Sequence, residues 1–140
     1  MLSGVARAQE PAPPAEAAAE TTGAAGAIRV ELNRMETVGE ACQPYLVFEN
    51  QAGYALSELQ LDLVLFDADG VVADRLAINA APLPAGKTSL VVFQVPSMTC
   101  ERVGRLLLNS VLACAGGPLA PEQCLDLVRT ESRLAVPFFK

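Results

Sequence analysis

The sequence contains no histidine and no tryptophan, and aromatic residues make up only 5% of the chain. Without histidine there is no Ser-His or Cys-His nucleophile pair, and there is no imidazole to bind a metal ion. So few aromatic residues provide no series of rings on which nucleotide bases would stack. These shortages argue against the common nucleophilic hydrolase mechanisms and against single-stranded nucleic-acid binding.

Positive charge is also scarce. The chain has 10 Lys and Arg residues against 16 Asp and Glu residues, a net charge of −6, and it has no block of basic residues. Such a chain repels a phosphate backbone, so we expect no nucleic-acid partner. The apolar runs are short, whereas a membrane-spanning helix needs roughly 20 apolar residues, so the sequence predicts no membrane-spanning segment.

The chain lacks a CxxC pair but has four cysteines, Cys42, Cys100, Cys114 and Cys124. Four cysteines allow three pairings. We favour Cys42 with Cys100, which lie near the ends of predicted strands, and Cys114 with Cys124, which bracket a Gly-Gly-Pro turn and a predicted short helix. Two disulfides are typical of an oxidising compartment. The alternatives are zinc held by four thiolates, which usually needs close-spaced cysteine pairs, and a redox-active thiol, which usually lies in a CxxC motif.

The N-terminal residues resemble the end of an export signal. Ala6-Arg7-Ala8 is the small-x-small pattern that precedes signal-peptidase cleavage, which predicts a mature start at Gln9. The rest of the segment is rich in Pro, Ala and Glu and has no apolar periodicity. We therefore interpret residues 1–27 as a signal-peptide remnant and disordered tether, and the predicted location is the periplasm of a Gram-negative bacterium. An ordinary flexible N-terminus is the alternative.

Residues 28–140 are long enough for one domain with its own core. Apolar residues alternate with polar ones at Ile28, Val30 and Leu32, and again from Leu59 to Leu65, which is the period of a β-strand. Other segments with strand composition are bounded by Gly, Pro, Asn or Asp, and they are residues 45–49, 71–79, 89–95, 105–114 and 134–139. About seven short strands predict an all-β, immunoglobulin-like antiparallel sandwich, with one short helix over residues 121–128.

The turn and strand sequence from Asn50 to Phe93 resembles the FxLYD-type immunoglobulin-like domains of secreted bacterial proteins. The resemblance rests on Asn50-Gln-Ala-Gly53, the strand ending in Phe66-Asp67, the Asp67-Ala-Asp-Gly70 turn, and Leu83-Pro-Ala-Gly86. The segment 63–67 matches the Phe-x-Leu-Tyr-Asp motif with leucine at the first aromatic position. The whole chain is also similar to short exported proteins of Gram-negative bacteria with twin-arginine signals. These resemblances imply an exported sandwich domain, with no catalytic residues.

Two groups of acidic residues are candidate sites. Asp67, Asp69 and Asp74 suggest a calcium loop, but the bidentate Glu required at position twelve is replaced by Ile78. A carboxylate pair for catalysis would have to come from a set of acidic residues in the first half of the domain, namely Glu31, Glu36, Glu40, Glu49, Glu58 and Asp62. Solvated turns and strand faces explain both patterns, so we expect no metal, no cofactor and no catalytic residue.

The C-terminal residues suggest a contact surface. Phe138 and Phe139 are adjacent, so in a strand they point to opposite faces and only one enters the core easily. The other is a candidate interaction residue, unless both pack beneath a loop at the end of the sandwich. The sequence thus favours a non-enzymatic binding or accessory module whose partner is another envelope protein. A structural spacer attached to the envelope is the first alternative, and an enzyme with a carboxylate pair is the second.

Overall fold

The computed structural model describes residues 27–140. The predicted signal-peptide remnant and tether therefore lie outside the described residues, except for Ala27, which is buried against the domain. The domain consists of eight strands, a short 3-10 helix and one α-helix. In chain order these are β1 (Ile28–Val38), β2 (Ala41–Asn50), β3 (Glu58–Asp67), β4 (Val72–Asn79), β5 (Thr88–Val92), the 3-10 helix (Cys100–Arg102), β6 (Val103–Ala115), α1 (Pro121–Leu127), β7 (Val128–Ser132) and β8 (Phe138–Phe139).

The strands form two four-stranded sheets, which confirms the all-β sandwich with a single short helix near the C-terminus. The first sheet has the order β5-β2-β1-β7 and the second has the order β4-β3-β6-β8. Four pairs of neighbouring strands are antiparallel, namely β1 with β2, β2 with β5, β3 with β4, and β3 with β6. The edge strands β7 and β8 instead run parallel to β1 and β6.

The core lies between the sheets and is built from the alternating residues that the sequence pattern identified. Ile28, Val30 and Leu32 of β1 are fully buried, as are the odd-numbered leucines of β3. Removing this apolar surface from water is the main force that holds the sheets together. The largest fully buried side chains are those of Phe48, Ile28, Leu32, Leu46, Leu56, Leu59, Leu61, Leu63, Leu65, Leu83, Leu106 and Leu108.

The turn between β3 and β4 follows the predicted hairpin. Gly70 has a φ of +83°, a conformation that glycine adopts without a steric penalty. The Oδ1 atom of Asp67 accepts hydrogen bonds from the backbone N–H groups of Asp69 and Val71 at 2.9 and 3.0 Å. The turn is thus stabilised by its own first residue.

The C-terminal quarter of the chain differs from the prediction. The helix predicted over residues 121–128 ends at Leu127, and a strand that the sequence analysis missed, β7, begins at Val128. The final strand, predicted over residues 134–139, is reduced to Phe138–Phe139. In β7 only Val128 is buried, and its backbone bonds come from β1, about a hundred residues away, so local apolar alternation gave little signal.

The two sides of the sandwich are unequal. Strands β7 and β8 lie next to each other, and α1 packs on β6 and β7, so this side is covered. Lys140 strengthens the cover by donating hydrogen bonds from Nζ to the carbonyl oxygens of Leu125 and Val128 at 2.7 and 2.6 Å. In the two strand orders, β5 and β4 are the edge strands at the ends opposite β7 and β8.

Candidate functional site

The four cysteines occupy structural positions. The structure joins Cys42 to Cys100 and Cys114 to Cys124, the two pairs favoured from their positions relative to the predicted strands and helix. The first disulfide ties the start of β2 to the 3-10 helix, and the second ties the end of β6 to α1. No cysteine of the described residues is free, so none supplies a thiolate for the zinc or redox alternative.

The acidic residues weighed as a calcium loop are engaged in separate local contacts. Asp67 caps its own turn, and Asp74 accepts a hydrogen bond from the Ser97 hydroxyl at 2.9 Å. Residues 27–140 contain no group of three or more Asp, Glu, Cys or His side chains arranged to hold a metal ion.

Two of the carboxylates weighed for catalysis are almost fully buried, and each is paired. Glu31, on the outer face of the first sheet, contacts the guanidinium of Arg29 at 3.3 Å and accepts a hydrogen bond from the Asn33 side chain. Arg29 also pairs with Glu49 at 3.0 Å and with Glu131 at 2.9 Å. Glu131 is the main cause of the raised pKa of Arg29, because its carboxylate accepts a hydrogen bond from the guanidinium. This arginine therefore joins carboxylates from three neighbouring strands.

Asp62, on the outer face of the second sheet, is held in a network of hydrogen bonds. Arg75 donates two hydrogen bonds to its carboxylate, both at 2.9 Å, and Asn109 and Ser110 donate at 2.9 and 3.2 Å. These donors, above all Arg75, lower the pKa of Asp62 to about 2. A carboxylate held ionised and occupied by three side chains is suited to a structural role and poorly suited to proton transfer.

The other acidic residues do not approach one another in a cleft. Glu36 accepts a hydrogen bond from the Tyr45 hydroxyl at 2.8 Å, and Glu40 is exposed in the β1–β2 turn. A shallow depression of about 180 Å³ includes one carboxylate, Glu58, and is otherwise lined by Leu59, Gln60, Asn79 and Ala113.

The two C-terminal phenylalanines point to opposite faces of β8. Phe138 is buried in the core and pairs with Leu106, while Phe139 is half-buried on the outer face of the second sheet, opposite Leu107. There Phe139 lies beside Arg105, whose guanidinium is 5.4 Å from the centre of its ring and 4.5 Å from that of Phe66. We call Phe66, Arg105 and Phe139 the arginine–aromatic cluster. The structure thus leaves part of Phe139 accessible on the outer face of the second sheet.

Edge strands are the parts of a sandwich most able to bind another strand, because their outward N–H and C=O groups are available to pair with another chain. Three of the four edges in residues 27–140 carry protection. β7 exposes the charged side chains of Arg129 and Glu131, β8 is only two residues long, and β4 carries Arg75 at its centre. Charged residues and short length are the usual ways in which proteins prevent edge pairing.

β5 lacks such protection. Its sequence, Thr88-Ser-Leu-Val-Val92, has no charge and no proline. Leu90 is 57% exposed and Val92 is 41% exposed on the outer face of the first sheet. Lys87, at the position before the strand, donates a hydrogen bond from Nζ to the Thr88 carbonyl at 2.9 Å, so only the first acceptor of this edge is occupied. This edge is therefore the candidate functional site.

The hydrogen bonds between β2 and β5 show which backbone groups of β5 face away from the sheet. The Phe93 N–H donates to the Pro44 carbonyl at 3.3 Å, and the Asn50 N–H donates to the Lys87 carbonyl at 3.0 Å. Because hydrogen-bonded pairs alternate in an antiparallel ladder, Ser89 and Val91 bond to β2. The N–H and C=O groups of Thr88, Leu90 and Val92 therefore point to the free side. Because Lys87 occupies the Thr88 carbonyl, free N–H and C=O groups coincide with exposed apolar side chains at Leu90 and Val92.

The sequence of this segment predicts a strand but does not indicate that the strand lies at an edge. Residues 88–100 are uncharged, but the position of a strand within a sheet depends on long-range pairing.

No helix in residues 27–140 is long and apolar enough to span a membrane.

No protein-family model and no curated protein matches the chain. The resemblance to FxLYD-type domains therefore stays a prediction. Among solved structures, the chain is similar to IrmA from Escherichia coli, with 13% identity and a TM-score of 0.51 over 74% of this chain and 90% of that one. At this identity the similarity shows a shared fold only.

Proposed function

We propose that the protein is a non-enzymatic binding module of the bacterial periplasm, and that it binds an extended segment of another envelope protein along the free edge of β5. The observation that carries the proposal is the coincidence of exposed apolar side chains and free backbone groups at Leu90 and Val92. In strand addition, backbone hydrogen bonds provide affinity, and the alternating side chains provide selectivity.

The partner segment follows from this geometry. Leu90 and Val92 project from the outer face beside Val47 and Tyr45 of β2, with which they are paired. A segment added at this edge continues the sheet, so every second side chain of the segment lies on the same face. We therefore expect a partner strand with β-branched or other apolar residues at alternate positions. The periplasmic location is supported by the two disulfides, which form and persist in oxidising compartments.

The binding proposal is tested with a short peptide that alternates valine and threonine and carries a lysine at each end for solubility. NMR titration of the isotope-labelled protein should shift the amide signals of Thr88, Leu90 and Val92. The same peptide with N-methyl groups on its pairing edge cannot donate hydrogen bonds and should cause no shifts. Equal binding of both peptides would contradict strand addition.

Proline substitution provides a matched pair of variants. In Leu90→Pro the lost N–H faces the free edge, so the pairing with β2 is kept while strand addition is blocked. Ala77→Pro makes the same change on β4, because the Ala80 N–H bond to Leu59 places the Ala77 N–H on the free side of that edge. We expect Leu90→Pro to abolish binding and Ala77→Pro to leave it unchanged. If the unmodified protein binds no extended peptide, the binding module is rejected in favour of a structural spacer.

A further inference from the structure

The arginine–aromatic cluster lies on the sheet that does not contain β5. Arg105 is exposed on the outer face of β6 and is directly opposite Phe66 of β3, while Phe139 of β8 lies in the adjacent row, opposite Leu107. With ring centres at 4.5 and 5.4 Å, the two rings stabilise the guanidinium by cation–π interaction. The side chain is thus held in place by contacts that use none of its N–H donors.

The donors of Arg105 have no carboxylate partner. Four other arginines of the described residues have a carboxylate oxygen within 4.0 Å, namely Arg29, Arg34, Arg75 and Arg133. No carboxylate of residues 27–140 lies within that distance of Arg105, although Asp67 is in the adjacent turn. The Asp67 Oδ1 atom already accepts two backbone hydrogen bonds.

The space beside the guanidinium is open. Gly70 lies in the neighbouring turn, and a β-carbon placed there would be 4.0 Å from Nη2 of Arg105 and would meet no closer atom. A larger side chain at this position would extend towards the donors that the glycine leaves accessible. The planar guanidinium can donate two parallel hydrogen bonds, one to each oxygen of a carboxylate.

An apolar shelf borders the cluster. Val64, Leu107 and Phe139 follow one another across β3, β6 and β8 in the adjacent row of the sheet. Val64 is buried there, and Leu107 and Phe139 are half-buried. A ligand that reaches the guanidinium would also cover part of this shelf.

We infer that the arginine–aromatic cluster is a second binding site, which takes a carboxylate side chain flanked by apolar residues on a partner polypeptide. The net charge of −6 gives the whole chain a field that does not attract acidic partners. Recognition of the partner must therefore come from short-range contacts. The guanidinium of Arg105 binds the carboxylate, and the apolar shelf covers the neighbouring apolar groups. This site is independent of the β5 edge, because it lies on the other sheet.

The inference is tested with a blocked Leu-Glu-Leu tripeptide and its Leu-Gln-Leu counterpart, followed through the side-chain Nε–H signal of Arg105. We expect the glutamate peptide to shift this signal and to bind at least about tenfold more tightly than the glutamine peptide. Arg105→Lys keeps the charge but loses the fork, and it should weaken binding to the level of the glutamine peptide. No shift of the Arg105 signal at millimolar glutamate peptide would overturn the inference.

Two further variants separate this site from a general charge effect and from β5. Arg129→Gln removes another exposed arginine without a carboxylate within 4.0 Å and should leave glutamate-peptide binding unchanged. Leu90→Pro should also leave glutamate-peptide binding unchanged, because β5 lies on the other sheet. Phe139→Ala should reduce binding by removing one ring and part of the shelf. If Arg129→Gln weakens binding as much as Arg105→Lys does, the binding is non-specific and the site is rejected.

Discussion

At the scale of single residues, Asp62 shows how a polar side chain on a sheet surface becomes part of the structure. Its side chain is 4% exposed, and its carboxylate accepts hydrogen bonds from Arg75, Asn109 and Ser110, so it links β3 with both neighbouring strands. A buried acceptor that lost these donors would retain its desolvation cost without compensation. The network therefore fixes the centre of the second sheet.

The lowered pKa of Asp62 predicts a pH-dependent contribution to stability. The folded pKa is about 2 against an ordinary value of 3.8, so the contribution is fully present above the ordinary value and is lost as the pH falls through about 2. The size of the shift corresponds to roughly 2 kcal/mol. We expect Asp62→Asn to lower the free energy of unfolding by about 1–3 kcal/mol at neutral pH, measured by urea denaturation.

The control for this prediction is Asp69→Asn, which changes an exposed carboxylate in the β3–β4 turn that pairs with no cation. It should be close to neutral at every pH. The difference between wild type and Asp62→Asn should shrink as the pH approaches 2. A difference that stays constant between neutral pH and pH 2 would mean that the charge of Asp62 does not contribute.

At the scale of elements, sequence reasoning succeeded where local pattern and tertiary role agree. The alternation in β1 and β3 identified the buried residues because one face of each strand packs on the opposite sheet. The β3–β4 turn was predictable because Gly70 and Asp67 meet the requirements of the turn themselves.

The elements that sequence reasoning missed depend on distant partners. β7 has a single buried residue and exists because β1 provides a parallel partner for it. The free edge of β5 follows from strand order, which no local feature of Thr88–Val92 encodes. The arginine–aromatic cluster likewise brings together residues 66, 105 and 139, so of its members only Phe139 was identified as a candidate.

At the scale of the whole molecule, the two disulfides close loops of very different length. Cys42 and Cys100 are 58 residues apart, and Cys114 and Cys124 are 10 apart. The entropy of loop closure in the unfolded chain gives about 4 kcal/mol for the first disulfide and about 3 kcal/mol for the second. Together these contributions are comparable to the total stability of a small domain.

Paired alanine variants test this estimate. Replacing Cys42 and Cys100 together should lower the free energy of unfolding by roughly 1 kcal/mol more than replacing Cys114 and Cys124 together, because the longer loop restricts the unfolded chain more. Urea denaturation of both double variants measures the difference. A larger loss from the short loop would show that the Cys114–Cys124 disulfide acts mainly by holding α1 on β6 in the folded state.

The proposed function depends on an asymmetry of the whole molecule: one side of the sandwich is covered by α1, β7 and β8, whereas the edge strand β5 lies at the other end of its sheet. Amide hydrogen exchange of the unliganded protein tests this account most directly. We predict that Thr88, Leu90 and Val92 exchange at least about tenfold faster than Ser89 and Val91, which bond to β2. Uniformly slow exchange along β5 would show that the edge is already paired, and it would contradict the assignment of this edge as the binding site.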